Sequence, residues 1–315
     1  MNMMRFGFLT GCLQNMTLEE KMKYAHEVGF TALDVSCWPK DNSRDYSGSD
    51  IDVENLASDE VEKIKTDQKK YNIAFSSLAY YDNMLHPDPA IRQYFYNHLR
   101  AVIKAAGELG TPLVGCFIGK NQNESLVKNF DEFEKIFSKL VTYAENHNVK
   151  LMIENCPMPG WQKDGLPGTI SYSPELWDEM FLRIPSDSFG LNFDPSHLDW
   201  LQIDYMQALR DYKNRIFHID AKDMIVDKKK FYNYGIYGKK LNRNHDEDLG
   251  FWTPVIPGLG DINWSQFYEV MKETGYTGDF SIEHEDRRFS ETNQLVKKGL
   301  EFSFNYLNPI IHNFK

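Results

Sequence analysis

At 315 residues, with 42% hydrophobic and 14% aromatic content, the chain can fill one large α/β domain with insertions or two ordinary domains. A formal net charge of −11, a pI near 5.3 and no basic run longer than Lys228-Lys229-Lys230 argue against a nucleic-acid partner. No apolar stretch approaches a membrane span and residues 1–4 begin no signal sequence, so cytoplasmic residence without a membrane partner is expected.

A strand–helix rhythm runs almost the whole length. Arg5–Leu9 reads as a first strand. Thr17-Leu18-Glu19-Glu20 is a capping box, in which hydroxyl and carboxylate satisfy each other's orphan amides. The helix it opens stops at Gly29, before the short apolar strand Ala32–Val35. Helix Ser58–Tyr71 precedes strand Ile73–Leu78. Helix Pro89–Leu109 stops at Gly110, before Leu113–Phe117. Helix Asp131–His147 leads into Leu151–Glu154. Ser173-Pro174-Glu175 places an N-cap before proline at the first helical position, ahead of strand Gly190–Phe193. Asp204–Tyr212 leads into Ile216–Asp220, and Ser265–Thr274 stops at Gly275 before Phe280–Glu283. A last helix spans roughly Glu291–Tyr306.

Eight strands alternating with helical sequence specify a parallel sheet, and eight units favour closure into a single (β/α)8 barrel over residues 1–315. An open doubly wound sheet with a nucleotide site lacks both GxGxxG and a P-loop. Two segments break the rhythm. Trp38–Asn55 is polar and turn-rich. Asp223–Gly260 is far longer than an ordinary βα loop and carries Tyr232, Tyr234, Tyr237, His245 and Trp252, which suits a lid or a contact in a homo-oligomer. Cys12, Cys37, Cys116 and Cys156 each follow a predicted strand without CxxC spacing, and read as small, buried, reduced residues.

The chemistry concentrates at four strand ends. IEN ends in a carboxylate at Glu154 after an apolar run, and buried there it needs a cation or strong donors to stay ionised. NFDPSH carries Asp194 and His197 on the turn leaving strand six. In FHIDAKD, His218 and Asp220 alternate by two and share a face, and Lys222 follows to neutralise a substrate anion or a neighbouring carboxylate. SIEHED ends strand eight with Glu283 and Glu285 on one face and Arg287 and Arg288 behind. Each has a plain alternative as a salt bridge or hydrated turn. Together, at one mouth of a parallel barrel, they predict a carboxylate-rich site for a divalent metal.

On IEN, FDPSH, FHIDAKD, the PGLGDINW stretch from Pro257 and SIEHED, the chain resembles the xylose isomerase-like TIM-barrel superfamily, the group of sugar phosphate isomerases and epimerases that also contains AP endonuclease family 2. The resemblance covers essentially the full length. It implies one divalent cation held by Glu154, Asp194, Asp220 and Glu283, with His197 binding a substrate oxygen. Many relatives have histidine where this chain has Asp220, which leaves His218 as an alternative strand-seven ligand. Four carboxylates would favour manganese or magnesium, with cobalt or zinc possible. The endonuclease members hold three zinc ions through extra histidines. Ser77-Leu78-Ala79-Tyr80-Tyr81 and Gly115-Cys116-Phe117-Ile118-Gly119 supply none, which argues against a repair nuclease.

The implied activity is isomerisation or epimerisation of a monosaccharide or keto-sugar through a metal-stabilised enediolate, with Glu154 and Glu283 as acid/base pair. The alternative is a lyase, either an inosose-type dehydratase or a β-eliminating enzyme on an oxidised glycoside. Trp38, Tyr80, Tyr81 and Phe117 could stack on a sugar or polyol or simply pack the mouth, and Lys222, Arg287, Asn83 and Asn121 could bind its oxygens. A non-enzymatic sugar-binding subunit is disfavoured by the intact ligand set.

Overall fold

The computed structural model describes residues 4–42, 44, 47–163, 166–243 and 248–312, so His245 of the long loop lies outside the described residues. Ten strands and ten helices are numbered here in chain order. Eight strands form one parallel sheet: β1 (Phe6–Phe8), β2 (Ala32–Ser36), β3 (Ala74–Tyr80), β4 (Leu113–Cys116), β5 (Lys150–Glu154), β6 (Phe189–Phe193), β7 (Ile216–Ala221) and β10 (Asp279–Ile282). The order β1-β10-β7-β6-β5-β4-β3-β2 follows the chain around a TIM barrel. Its seam is closed by a parallel bridge from Leu9 to Asp34 and by Thr31 N–H donating to the Phe6 carbonyl at 2.9 Å.

The helices are α1 (Leu18–Val28), α2 (Ser58–Tyr71), α3 (Pro89–Leu109), α4 (Leu126–Glu145), α5 (Pro174–Arg183), α6 (Pro195–Trp200), α7 (Tyr205–Asp211), α8 (Lys228–Tyr234), α9 (Trp264–Thr274) and α10 (Asn293–His312). The Thr17/Glu20 capping box is present and α1 ends on left-handed Gly29 (φ 108°), as the local sequence dictates. Helix α4 begins at Leu126 rather than Asp131, because the Ser125 hydroxyl accepts from Lys128 N–H and starts the turn earlier. Ser173 precedes α5 as expected but its side chain makes no capping hydrogen bond. Among the described residues no helix is long and apolar enough to cross a membrane.

The layer between strands and helices is aromatic: Phe189 meets Phe133, Phe137 and Phe181 at centroid distances of 5.9, 6.1 and 5.8 Å. Burying one such ring contributes about 1.5–3 kcal/mol. Buried polar side chains on the barrel strands include Asp34, Ser77, Asn192, His218, Asp220 and Ser281. Register shifts at Leu33/Asp34 and Leu191/Asn192 fall where β2 and β6 supply two of them, the usual consequence of a bulge re-aiming a side chain.

The long segment after β7 is an antiparallel hairpin, β8 (Asp223–Val226) with β9 (Trp252–Val255), carrying α8 in its connection. PGLGDINW explains how it is held. The Asp223 carboxylate accepts from Gly258 N–H (3.1 Å), Ile262 N–H (3.1 Å) and the Trp264 indole (2.9 Å). A Cβ on Gly260 would stand 2.1 Å from Asp223 Oδ1, so only glycine fits that turn.

Candidate active site and metal centre

Each acidic group reaches the barrel mouth by a local device. Glu154 is the last residue of β5, and the adjacent Asn155 locks the next strand end: its Oδ1 accepts from Asp194 N–H (2.8 Å) and its Nδ2 donates to the Asp194 carbonyl (2.9 Å). Asp194 is the N-cap of α6, its Oδ1 accepting from Ser196 N–H at 2.7 Å. That leaves Oδ2 buried without a partner among the described residues. Glu283 follows β10, and its Oε2 is likewise buried and unpartnered. Ligand oxygens of Glu154, Asp194 and Glu283 lie within 4.8 Å of one another.

Lys222 enters this carboxylate group from β7, placing Nζ 2.9 Å from Glu283 Oε1 and 2.8 Å from Glu285 Oε2. Burial pushes the ammonium towards neutrality, but Glu283, Glu285 and their neighbours outweigh it and hold it charged. One lysine cannot balance the cluster. Burial raises Glu154 to about 8 and Asp194 to about 6, against the pull of Lys222. Buried carboxylates pushed up in this way, two of them with an orphaned oxygen, are a donor set that fits a hard divalent cation.

His197 closes the group. Its Nδ1 accepts from the Trp200 indole at 3.2 Å, and an indole can only donate, so the proton of the neutral ring sits on Nε2. That nitrogen is 3.2 Å from Asp194 Oδ2 and 3.3 Å from Glu154 Oε1, without a hydrogen bond to either. Burial lowers His197 to about 4 despite Asp194, which keeps the imidazole neutral near pH 7.

Asp220 and His218 sit apart from that trio. Asp220 Oδ2 accepts from Asn192 Nδ2 at 2.5 Å and groups with Asp34 and His218. Both His218 nitrogens are engaged, Nδ1 with Asn192 Oδ1 (2.8 Å) and Nε2 with Ser281 Oγ (3.0 Å). Asn192 also donates to the Tyr81 hydroxyl at 2.9 Å, linking this interior network to the cavity wall.

The cavity above the cluster has a volume of ≈ 520 Å³, and its walls include Trp38, Tyr81, Phe117, Lys222 and Arg287. Tyr80 does not reach it: its ring packs 4.5 Å from His98 on α3. Asn83 spends its amide on the loop, accepting from Lys120 N–H and donating to the Lys120 carbonyl, both at 3.0 Å. Asn121 lines a separate surface depression. Trp252 of the hairpin stacks on Trp200 (5.1 Å, 6°) and reaches within 6.3 Å of the His197 ring, and with Thr253 and Pro254 it forms part of the cavity wall. The indole N–H groups of Trp38 and Trp252 are buried without partners among the described residues.

The family described as "Xylose isomerase-like TIM barrel" matches residues 22–306. The chain belongs to that family. It is 22% identical to the uncharacterized protein YfiH of Bacillus subtilis over 311 residues, covering 91% of this chain and 94% of that one. An inosose dehydratase of Clostridium tetani is 33% identical over 158 residues, about half of each chain (50% and 48%). Among solved structures, the E. coli 3-keto-D-glucoside 4-epimerase YcjR superposes with a TM-score of 0.70 at 14% identity, covering 97% of this chain and 99% of that one. The family groups sugar epimerases, isomerases and dehydratases, and buried acidic and histidine clusters of the kind found here are consistent with a metal site.

Against the sequence expectations, Glu154, Asp194, His197, Lys222 and Glu283 are brought together, while Asp220 and His218 are held in the adjoining network. Sequence reading missed Arg44, whose guanidinium lies 5.8 Å from the Phe117 ring and 5.6 Å from Trp161, and bonds the Tyr81 carbonyl. A single arginine in a polar loop gives no periodic signal. Cys156, legible as a strand-end cysteine near the barrel mouth, lies on the cavity wall.

Proposed function

We propose that the protein is a divalent-metal-dependent epimerase or isomerase of a monosaccharide or keto-sugar, with manganese or magnesium as the favoured ion. The observation that carries this is the convergence of Glu154, Asp194 and Glu283, the last two each with an unpartnered buried oxygen among the described residues, beneath an aromatic cavity. These three would hold the ion, with Asp220 joining after a shift of its carboxylate from Asn192 or His218 after release from its partners. A bound divalent cation supplies Lewis-acid polarisation of adjoining hydroxyl and carbonyl oxygens.

The chain's own groups do the rest. Glu154, ionised, takes the proton from the carbon beside the carbonyl, and the electron pair moves into the enediolate. Glu283 returns a proton to the opposite face for epimerisation. A single carboxylate working one face gives aldose–ketose isomerisation. His197 donates from Nε2 to a substrate oxygen, burial pushes the Glu283 carboxyl well above its ordinary value so that it carries the proton it returns, and Lys222 holds Glu283 and Glu285 in place. The unpartnered indoles of Trp38 and Trp252 suit a hydroxyl-rich ligand.

Dehydration is the second reading, favoured by the 33% identity to an inosose dehydratase over half the chain. In it, the same enediolate expels a β-hydroxyl, which leaves as water. One experiment separates the two. The manganese-loaded protein is incubated in deuterated water with ketoses, keto-glucosides and inososes and followed by NMR. Deuterium entering beside the carbonyl of a new epimer or isomer supports the first reading. An unsaturated ketone supports the second, and no exchange in any candidate removes both.

A further inference from the structure

His197 and Trp200 are three residues apart on α6, so their side chains share one face of the helix. Both are buried, at 1% and 3% exposure. The Trp200 indole donates to His197 Nδ1 at 3.2 Å, with the two rings at 78°. An indole nitrogen only donates, so the bond admits one form of the neutral imidazole, with its proton on Nε2. The direction of the indole N–H is itself fixed. Trp252 lies flat against Trp200 (5.1 Å, 6°) and Phe251 meets it edge-on at 6.0 Å, so the indole cannot turn away without breaking both contacts.

The tautomer decides what Nε2 can do. That nitrogen stands 3.2 Å from Asp194 Oδ2 and 3.3 Å from Glu154 Oε1, hydrogen-bonding neither. Ligand atoms around a tetrahedral cation with bonds of about 2.0–2.2 Å are separated by about 3.3–3.6 Å. A bare Nε2 would therefore be placed to join both carboxylates on one ion, whereas a protonated Nε2 has no lone pair to give. In metal-ligating histidines the second nitrogen almost always donates, to a carboxylate, a carbonyl or water. In His197 the second nitrogen accepts.

We propose that Trp200 is a positioning residue, which holds His197 as an Nε2–H donor towards substrate oxygen and withholds it from the ligand set of the metal. Trp200 is not part of the cavity wall and acts only through His197. The withholding rests on the reading of a metal centre at this mouth, and the tautomer does not.

The test is NMR of the full chain with isotope-labelled histidine, which locates the proton on each ring nitrogen. In the metal-free wild type, His197 should carry its proton on Nε2 and none on Nδ1. Adding Cd²⁺, a spin-active probe for the same carboxylates, should leave that form in place, without cadmium–nitrogen coupling at His197. Trp200→Phe keeps a stacked ring and removes the donor. With Cd²⁺ it should move the proton to Nδ1 and show one-bond coupling to Nε2, and its preference for Zn²⁺ over Mg²⁺ should rise about tenfold. Unchanged signals from His98 and His147 would show that the variant is folded. A proton on Nδ1 or a cadmium coupling in the wild type overturns the proposal. So does an Nε2-protonated, uncoupled His197 in folded Trp200→Phe with Cd²⁺ bound. Cd²⁺ that binds neither protein counts against the metal centre instead. The positioning role then stands or falls on the metal-free tautomers, with an Nδ1–H fraction expected in Trp200→Phe and none in the wild type.

Discussion

Glu154 and Asp194 show why a carboxylate at a strand end is an ambiguous residue in sequence and a defined one in space. Asp194 commits one oxygen to capping α6 and leaves the other buried without a hydrogen-bond partner among the described residues. Elemental analysis should therefore find about one divalent ion per chain in the wild type, and less than a tenth of that in Glu154→Gln and Asp194→Asn. Lys222 carries a different cost. Removing it leaves Glu283 and Glu285 facing each other without their shared cation, a loss of about 3–5 kcal/mol for a broken buried pair. Lys222→Met should lower the urea midpoint of the metal-free protein, and added Mn²⁺ should restore more stability there than in the wild type. Equal restoration in both proteins would mean that Lys222 and the ion do not share the same carboxylates.

Elements stabilised by neighbours in sequence were readable, and those stabilised by distant partners were not. The Thr17 capping box and Gly29 stop define α1 within one turn of each end, and the structure keeps both. DPSH was legible as a polar turn, yet it opens α6, because Asp194 caps a helix whose proline sits at its first position. The hairpin β8–β9 pairs Asp223 with Val255 and Val226 with Trp252 across a long connection, and no local pattern announces that pairing. Its anchor can be tested. Gly260→Ala forces a Cβ into Asp223 Oδ1 and should cost about 1–3 kcal/mol. Limited proteolysis should then cut within residues 226–252 sooner than in the wild type, and an unchanged cleavage rate would show that the Asp223 cradle does not hold the hairpin.

Across the whole molecule, the buried carboxylates make stability depend on pH. Glu154 is raised in the fold to about 8 from an ordinary 4.5, so the folded state binds the extra proton and its stabilisation is lost as pH rises through 8. Asp194 behaves alike up to about 6, whereas His197, lowered to about 4, works oppositely up to its ordinary 6.5. From pH 6.5 to 8 the sign is unopposed by His197. The metal-free protein should lose up to about 1.4 kcal/mol per pH unit per proton, seen as a falling Tm. A saturating divalent ion should flatten that slope, and a metal-free Tm that rises over this window would contradict the assignment. The sequence by itself determined the eight-unit barrel and the strand ends that carry acidic groups, because strand–helix alternation and capping are set by neighbours a few residues apart. Tertiary structure alone decided which of those groups meet. Strand alternation puts Asp220 and Lys222 on one face of β7, but their depth in the barrel depends on how neighbouring strands are registered. That register sends Asp220 to Asn192 and Lys222 to Glu283, while the loop after β2 carries Arg44, which no motif marks, to 5.6 Å from the Trp161 ring.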